Sequence, residues 1–310
     1  MKNQVAVYSK NESFLTQLNE KFQSSSFSIL ENPPLMSLIK EGFVICDLDS
    51  YKEMNLAQEV VHKDHLFLIS SEADEENMKI VVKDGLKHLV GWNEGIFAQE
   101  ILCHFENMVH KRIWGLQNFL DESCELKILS LSDSKYTDEL IQDVLKHFDF
   151  NDYFASPTDY IRVMANELVS NSLYKGPNRR REEQGLDAAD RKSPVYLKGS
   201  DLVQVTVGMD DRGVGLSVQD SFGGLDYETL IGSLKRSFAE KTVMEKKDGA
   251  GLGLYITFLH SNQFIVNHRE NFRTEVICII DRNKRYKNYK QRIRSFHYFE
   301  EVKGEKINDK

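Results

Sequence analysis

Three short stretches in the second half of this sequence carry side chains whose types and spacing could act on a phosphorylated ligand. The first is DYIRVMANELVSNSLYKGP, where Val163, Glu167, Asn171 and Lys175 follow one another at i, i+4 spacing and so line one stripe of a helix. A carboxylate, an amide and an amine stacked in that way can polarise a water, hold a hydrated magnesium ion and meet a phosphate. The second is VGLSVQD at 214–220, in which Val214, Leu216 and Val218 alternate toward one face and Asp220 continues it. A carboxylate aimed at the apolar side of a sheet needs a hydrogen-bond donor, because burying it unpaired is costly. An exocyclic base amine is such a donor; capping the helix expected at 226–238 is the other use of Asp220. The third is DGAGLGLYITFL at 248–259, where Gly249, Gly251 and Gly253 run into an apolar helical segment. Glycines let backbone N–H groups approach phosphate closely, and a helix N-terminus favours its charge.

Other reactive types lead less far. A dinucleotide site of the G-x-G-x-x-G kind expects its glycines after a strand early in a βαβ unit, whereas the order here is helix, hairpin, helix, glycines. Arg179, Arg180 and Arg181 lie in NRRREEQGLDAADRKS at 178–193, a stretch dense in charge that reads as a solvated loop and could also reach a phosphate or an acidic partner. Cys46, Cys103, Cys124 and Cys278 are far apart without a C-x-x-C pair, which argues against a zinc or disulfide frame. His104 and His110 read as surface histidines of a helix.

The elements that must position these groups follow from apolar patterning. The first ninety residues carry five short apolar runs, VAVY at 5–8, FSIL at 27–30, FVIC at 43–46, LFLIS at 66–70 and HLV at 88–90, each followed by a connection. Such alternation predicts a doubly wound parallel sheet. From Asn93 to Leu120 apolar residues recur at helical spacing, predicting an amphipathic linker helix over 93–120 that packs on its own domain or pairs with a second copy in a homodimer. The second half opens with a strand, LKILSL at 126–131, then helices near 136–148 and 158–174. A hairpin follows, LVQVTVGM at 202–209 with VGLSVQD at 214–220, turning at Asp210–Gly213. The expected fold class is therefore α/β, with a second, C-terminal α/β sandwich. A basic, tyrosine-bearing tail, 282–310, includes SFHYF at 295–299, aromatic enough to pack back onto a domain. At 310 residues, 41% hydrophobic and 28% charged, the chain has room for two cores. A formal charge of −8 disfavours a general nucleic-acid binder, and neither a secretion signal nor a membrane span is evident, so a cytoplasmic location is expected.

Two resemblances organise these readings. Residues 1–92 resemble the receiver domain of response regulators, which implies that an aspartate ending the third strand, Asp47, accepts a phosphoryl group. The acidic pair expected after the first strand is replaced by Ser9-Lys10-Asn11, and the lysine expected after the fifth falls near Gly91-Trp92-Asn93, so the resemblance is to a degenerate receiver. Residues 121–281 resemble GHKL, or Bergerat-type, ATP-binding domains of the anti-sigma-factor serine kinase and histidine-kinase-like groups, through ANELVSNS, VQDSFGGL, GAGLGLY and TEVICII in that order. That likeness implies ATP and Mg2+ as cofactors and assigns roles: Glu167 as general base, Asn171 on magnesium, and Asp220 on the adenine amine. Gly224 gives the ring room, Gly249, Gly251 and Gly253 cradle phosphates, and Thr274 supports Asp220 through water. The pattern departs where Phe222 occupies a glycine position of D-x-G-x-G and would crowd the adenine pocket. An intact D-x-G-x-G at Asp211–Gly215 falls in the hairpin turn, and using it would strand VGLSVQD outside the expected sheet.

Together these imply a signalling protein that binds Mg-ATP and acts as a protein serine kinase or ATPase regulated by its receiver-like domain. The rival is a non-catalytic, ATP-dependent switch that binds a protein partner. No histidine sits in a phosphoacceptor motif, which argues against a self-contained histidine kinase.

Overall fold

The computed structural model describes residues 3–34, 42–54, 63–70, 75–92, 96–122, 124–148, 158–183, 185, 187, 193–239, 252–281 and 294–301. The chain is mixed α/β and divides into two compact units, Met1–Arg112 with Gln291–His297, and Ile113–Lys290 with Tyr298–Lys310. No helix among the described residues is long and apolar enough to cross a membrane.

The first unit contains β1 (Asn3–Tyr8), α1 (Glu12–Phe22), β2 (Phe27–Glu31), β3 (Phe43–Asp47), α2 (Leu48–Glu53), β4 (Leu66–Ser70), α3 (Glu75–Asp84), β5 (His88–Gly91) and α4 (Phe97–Val109). All five expected strands form, and they pair in parallel in the order β2-β1-β3-β4-β5. Val5, Val7, Ile45, Phe67, Ile69 and Val90 pack on α1 and α4, while Ala6, Val44, Cys46, Leu66, Leu68 and Leu89 alternate with them and are buried as well. Burial on both faces explains why these strands read as continuous apolar runs rather than alternating ones. Asn11 starts α1 by accepting the Phe14 N–H, and Phe14, Leu18 and Phe22 then recur at i, i+4, i+8 to face the sheet. Phe105 of α4 is fully buried and stacks on Phe43 with ring centroids 4.1 Å apart. The antiparallel partner of β5 is a strand the sequence left inside a tail: Ser295–Glu300, joined through Phe296↔Leu89 and His297↔His88. The basic stretch at 282–293 lies outside the described residues.

The helix expected over 93–120 is shorter, Phe97–Val109. It ends at His110, and Lys111 turns left-handed at φ 55°. Its apolar face is spent on the first unit's core, through Phe97, Ile101 and Phe105. The apolar residues that continue the periodicity belong to the second unit, where Leu116 and Leu120 fill the space left by the absent side chain of Gly215. His104, expected on the surface, is instead buried at 1% exposure, because α4 is covered on more than its aliphatic stripe; His110 is exposed as expected.

The second unit holds β6 (Glu125–Leu131), α5 (Thr137–Lys146), α6 (Thr158–Ser170), α7 (Gly176–Glu183), β7 (Val203–Met209), β8 (Gly213–Asp220), α8 (Tyr227–Ala239), α9 (Leu252–His260), β9 (Gln263–Arg269) and β10 (Arg273–Asp281). The final strand, β11 (Ser295–Glu300), enters this unit from Tyr298 onward. Strands pair antiparallel in the order β9-β10-β8-β7-β6. The β7–β8 turn closes as expected: Asp210 donates its N–H to Gly213 O, and its carboxylate accepts the N–H groups of Arg212 and Gly213. Helix α6 packs against α5, α9 and β8, with Ile161, Met164, Ala165 and Leu168 buried.

The charged stretch after Asn171 is not loop from residue 178: helix continues through α7 to Glu183. Apolar periodicity could not reveal it, since its side chains are held by charge. Arg179 donates to Gly224 O and Asp226 at 2.7 Å each, Arg180 to Ser221 O at 2.9 Å and to Asp201, and Arg181 to Asp187 O at 2.9 Å.

Candidate ligand-binding site

Between α6 and α7 the backbone widens into a π turn, Asn171–Lys175, closed by the Gly176 N–H donating to Asn171 O. A π turn interrupts regular helical packing and frequently marks a functional position. Here it redirects the polar stripe: Asn171 and Lys175 both line one cavity of about 500 Å³, although the i, i+4 register that aligned them in the sequence is broken between them. Asp220, Gly224 and Thr274 line the same cavity. With Arg179, which lines it too, six of the residues singled out in the sequence are therefore brought together. Leu168, Val218, Leu254 and Val276 supply apolar wall, and Lys175, Arg179 and Arg236 supply positive charge.

Asp220 ends β8 directly opposite Thr274 of β10. It is 8% exposed and accepts the Phe222 N–H at 2.9 Å, with the Gly223 N–H and the Ser172 hydroxyl as further donors. Burial nevertheless pushes its carboxyl up to about 6, from an ordinary 3.8. The two uses left open for it in the sequence are now separable. Helix α8 is capped by Asp226, whose carboxylate accepts the Thr229 N–H at 2.8 Å, so Asp220 is not the cap. Nor does the intact D-x-G-x-G compete for the cavity: Asp211 is exposed in the hairpin turn and lines no part of it.

Two polar atoms near Asp220 stand out. Thr274 Oγ1 and Asn171 Nδ2 are buried with no hydrogen-bond partner among the described residues. Leaving such a group unsatisfied costs roughly 1–3 kcal/mol, and both belong to cavity-lining residues, where a ligand or water can satisfy them.

Phe222, expected to crowd the cavity, is buried elsewhere. A Cβ on Gly176 would meet its ring at 2.6 Å, and the Arg180 guanidinium lies 4.6 Å above the ring centroid. It is not among the cavity-lining residues. What the loop requires instead is Gly223, at φ +61°, where any side chain would run into the Arg269–Phe272 backbone. His268 meets Gly223 O at 3.0 Å and steadies that turn.

Glu167 is placed differently from its stripe partners. It does not line the cavity; its carboxylate lies against Gly253, in the first turn of α9, where a Cβ would collide with it. Gly253 thus serves close approach between α6 and α9. Gly249 and Gly251 lie outside the described residues. The site also uses residues that no spacing pointed to: Ser172 is invisible without the π turn, and Thr229, Ser233 and Arg236 reach the cavity from α8.

In the first unit Asp47 does end β3, and there it caps α2 by accepting the Ser50 N–H at 2.7 Å. Lys10 pairs with Glu53 at 2.6 Å. Ser9 and Asn11, which stand where the acidic pair was looked for, are occupied in starting α1, with Asn11 N–H donating to Ser9 Oγ. All four cysteines are free thiols, Cys46 and Cys278 buried. No family model matches this chain, and no curated protein is significantly similar to it.

Proposed function

We propose that the second unit binds an adenine nucleotide, as Mg-ATP, in the manner of a Bergerat-type domain, and that the chain uses it in signal transduction together with a receiver-like first unit. The observation that carries this reading is the convergence on one cavity of a buried carboxylate, Asp220, with two unsatisfied polar atoms, Thr274 Oγ1 and Asn171 Nδ2. An aminopurine fits that chemistry, since its exocyclic amine donates to Asp220 and its ring nitrogens accept, directly or through water, from Thr274. The apolar walls Val218, Val276 and Leu168 suit a flat ring, and Lys175 and Arg236 suit the phosphates. The Asn171 side-chain amide would hold magnesium by its oxygen, the remaining ligands coming from phosphate and water.

In the kinase or ATPase form of this reading Glu167 orients or deprotonates a serine hydroxyl or a water. The alternative is a non-catalytic switch, in which nucleotide binding changes a partner surface without transfer. The position of Glu167 against Gly253, off the cavity wall, favours the switch.

Titration calorimetry with ATP and magnesium tests the binding step on three proteins. The unaltered chain and Asp211→Asn are expected to bind one nucleotide, and Asp220→Asn to lose at least ~10-fold in affinity, the equivalent of one charged hydrogen bond. No binding by the unaltered chain, or a loss confined to Asp211→Asn, overturns the assignment. Incubation with labelled ATP then separates the two forms, since a switch binds without hydrolysis or labelling.

A further inference from the structure

We propose that Glu100, His104 and His297 of the first unit form a binding site for a zinc-class divalent metal ion, independent of the nucleotide cavity. Glu100 and His104 stand one turn apart on α4, and His297 reaches them from the strand paired to β5. One ligand atom from each lies within 4.8 Å of the other two, and the three residues are between 0 and 8% exposed. Two imidazoles and a carboxylate are a donor set that zinc and its first-row neighbours accept.

The hydrogen bonding around His297 fixes which of its nitrogens is available. Asp64 O can only accept, so His88 Nε2, 3.1 Å away, carries a proton and donates it. His88 Nδ1 is then the acceptor for the Nδ1–H of His297 at 3.3 Å. That leaves His297 Nε2 as a bare lone pair, 3.0 Å from Glu100 Oε1. Two acceptors at that separation need a cation between them, a proton or a metal. A proton satisfies Glu100 and His297 alone, whereas His104, with its ring 3.9 Å from that of His297, centroid to centroid, and a nitrogen within 4.8 Å of both other ligand atoms, offers a third donor that a metal can use.

The surroundings are those of a supported site. The His88–Asp64 pair sets the tautomer of His297, as outer-shell groups do for metal-bound histidines, and the Ser295 hydroxyl donates to Glu100. Tetrahedral zinc with bonds near 2.0–2.1 Å places its ligand atoms about 3.3 Å apart. Glu100 and His297 are already that close, and His104 has to turn its ring to join them. Bound metal would fasten the 295–297 strand to α4.

The test uses the full chain without an affinity tag, stripped with a chelator and titrated with Co2+. One saturable equivalent is expected, with ligand-field absorption in the visible and a higher thermal midpoint. Glu100→Gln keeps the volume and a donor for His297 Nε2 but is a poor ligand, so it is expected to stay folded and bind Co2+ ~100-fold or more weakly, with His104→Ala losing binding likewise. His110→Ala, altering an exposed histidine of the same segment, should bind as the unaltered chain does. Absence of saturable uptake by the unaltered chain overturns the proposal, as does Glu100→Gln binding as tightly as the parent. Because Glu100→Gln removes a ligand without opening a cavity, it decides the matter even if His104→Ala fails to fold.

Discussion

Replacing Asp220 by asparagine should make the protein more stable at neutral pH while weakening the cavity as a binding site. The carboxyl is buried and titrates near 6 in place of 3.8. Between those values the unfolded chain has released its proton and the folded chain has not, so the folded state holds more protons and stability falls as pH rises through that window. Above about 6 the loss is complete. A displacement of about 2 pH units at ~1.4 kcal/mol each sets it at about 3 kcal/mol. Asparagine removes that titration. It also faces the Phe222 and Gly223 N–H groups and the Ser172 hydroxyl with one oxygen in place of two, which costs about 1 kcal/mol. The net expectation is a gain of about 1–2 kcal/mol at pH 7–8, shrinking below pH 6 and reversed near pH 4. Urea denaturation of both proteins at several pH values between 4 and 8 measures it, and each kcal/mol also moves the thermal midpoint by roughly 2–4 °C in a chain of this size. A variant less stable than the parent by the same amount at pH 5 and pH 8 would refute the reasoning. Asp220 would then be satisfied by its own neighbours, and the cavity would lose its reason to bind a hydrogen-bond donor.

Other outcomes follow from single contacts. Phe105→Ala removes a fully buried ring that stacks on Phe43 and meets Phe67 edge-on, and is expected to cost the first unit about 3–5 kcal/mol by denaturant titration. Gly253→Ala puts a methyl where the end of the Glu167 side chain lies; that flexible side chain must swing aside while alanine favours the helix, so the net change is expected to stay within about 1 kcal/mol. Made together with Glu167→Ala, which removes the clash, the same change should stabilise by about 0.5–1 kcal/mol, and strict additivity in the double-mutant cycle would contradict the contact. Asp226→Ala removes the cap of α8 together with the Arg179 ion pair, and a loss of about 1–2 kcal/mol is expected, with faster amide exchange in the first turn of α8. Unchanged exchange there would mean that another group caps the helix.

How much of this was legible in the sequence depended on what holds each element. Four of the five parallel strands of the first unit, β1 and β3 to β5, could be read because both of their faces are buried and each is a nearly unbroken apolar run such as FVIC or LFLIS, whereas β2, half-buried at the edge, shows only the interrupted run FSIL. The β7–β8 hairpin was legible from its turn chemistry, with Asp210 binding the two N–H groups that the turn exposes. Helix α7 was not, because the arginines that hold it make it look like solvated loop. The linker helix was overextended for the opposite reason: apolar spacing continues past His110 although the chain turns at Lys111 and gives Leu116 and Leu120 to a second core. Periodicity reports that a residue is buried, not in which unit.

The same distinction explains the site. Asp220 was found because alternation along β8 pointed a carboxylate inward, and inward is where it lies. Spacing on α6 grouped Glu167, Asn171 and Lys175 as if the helix were uniform, but the π turn divides them. The turn itself packs against β8 and holds Ser172 within reach of Asp220, whereas Glu167, before it, lies on the regular helix and meets α9 at Gly253. A straight helix could not serve both neighbours with one stripe. The extra residue in that turn is therefore what turns a charged helix face into a cavity wall, and the cost of breaking the helical ladder there is offset by the Gly176 N–H bond to Asn171 O and by the arginines of α7 that secure the continuation.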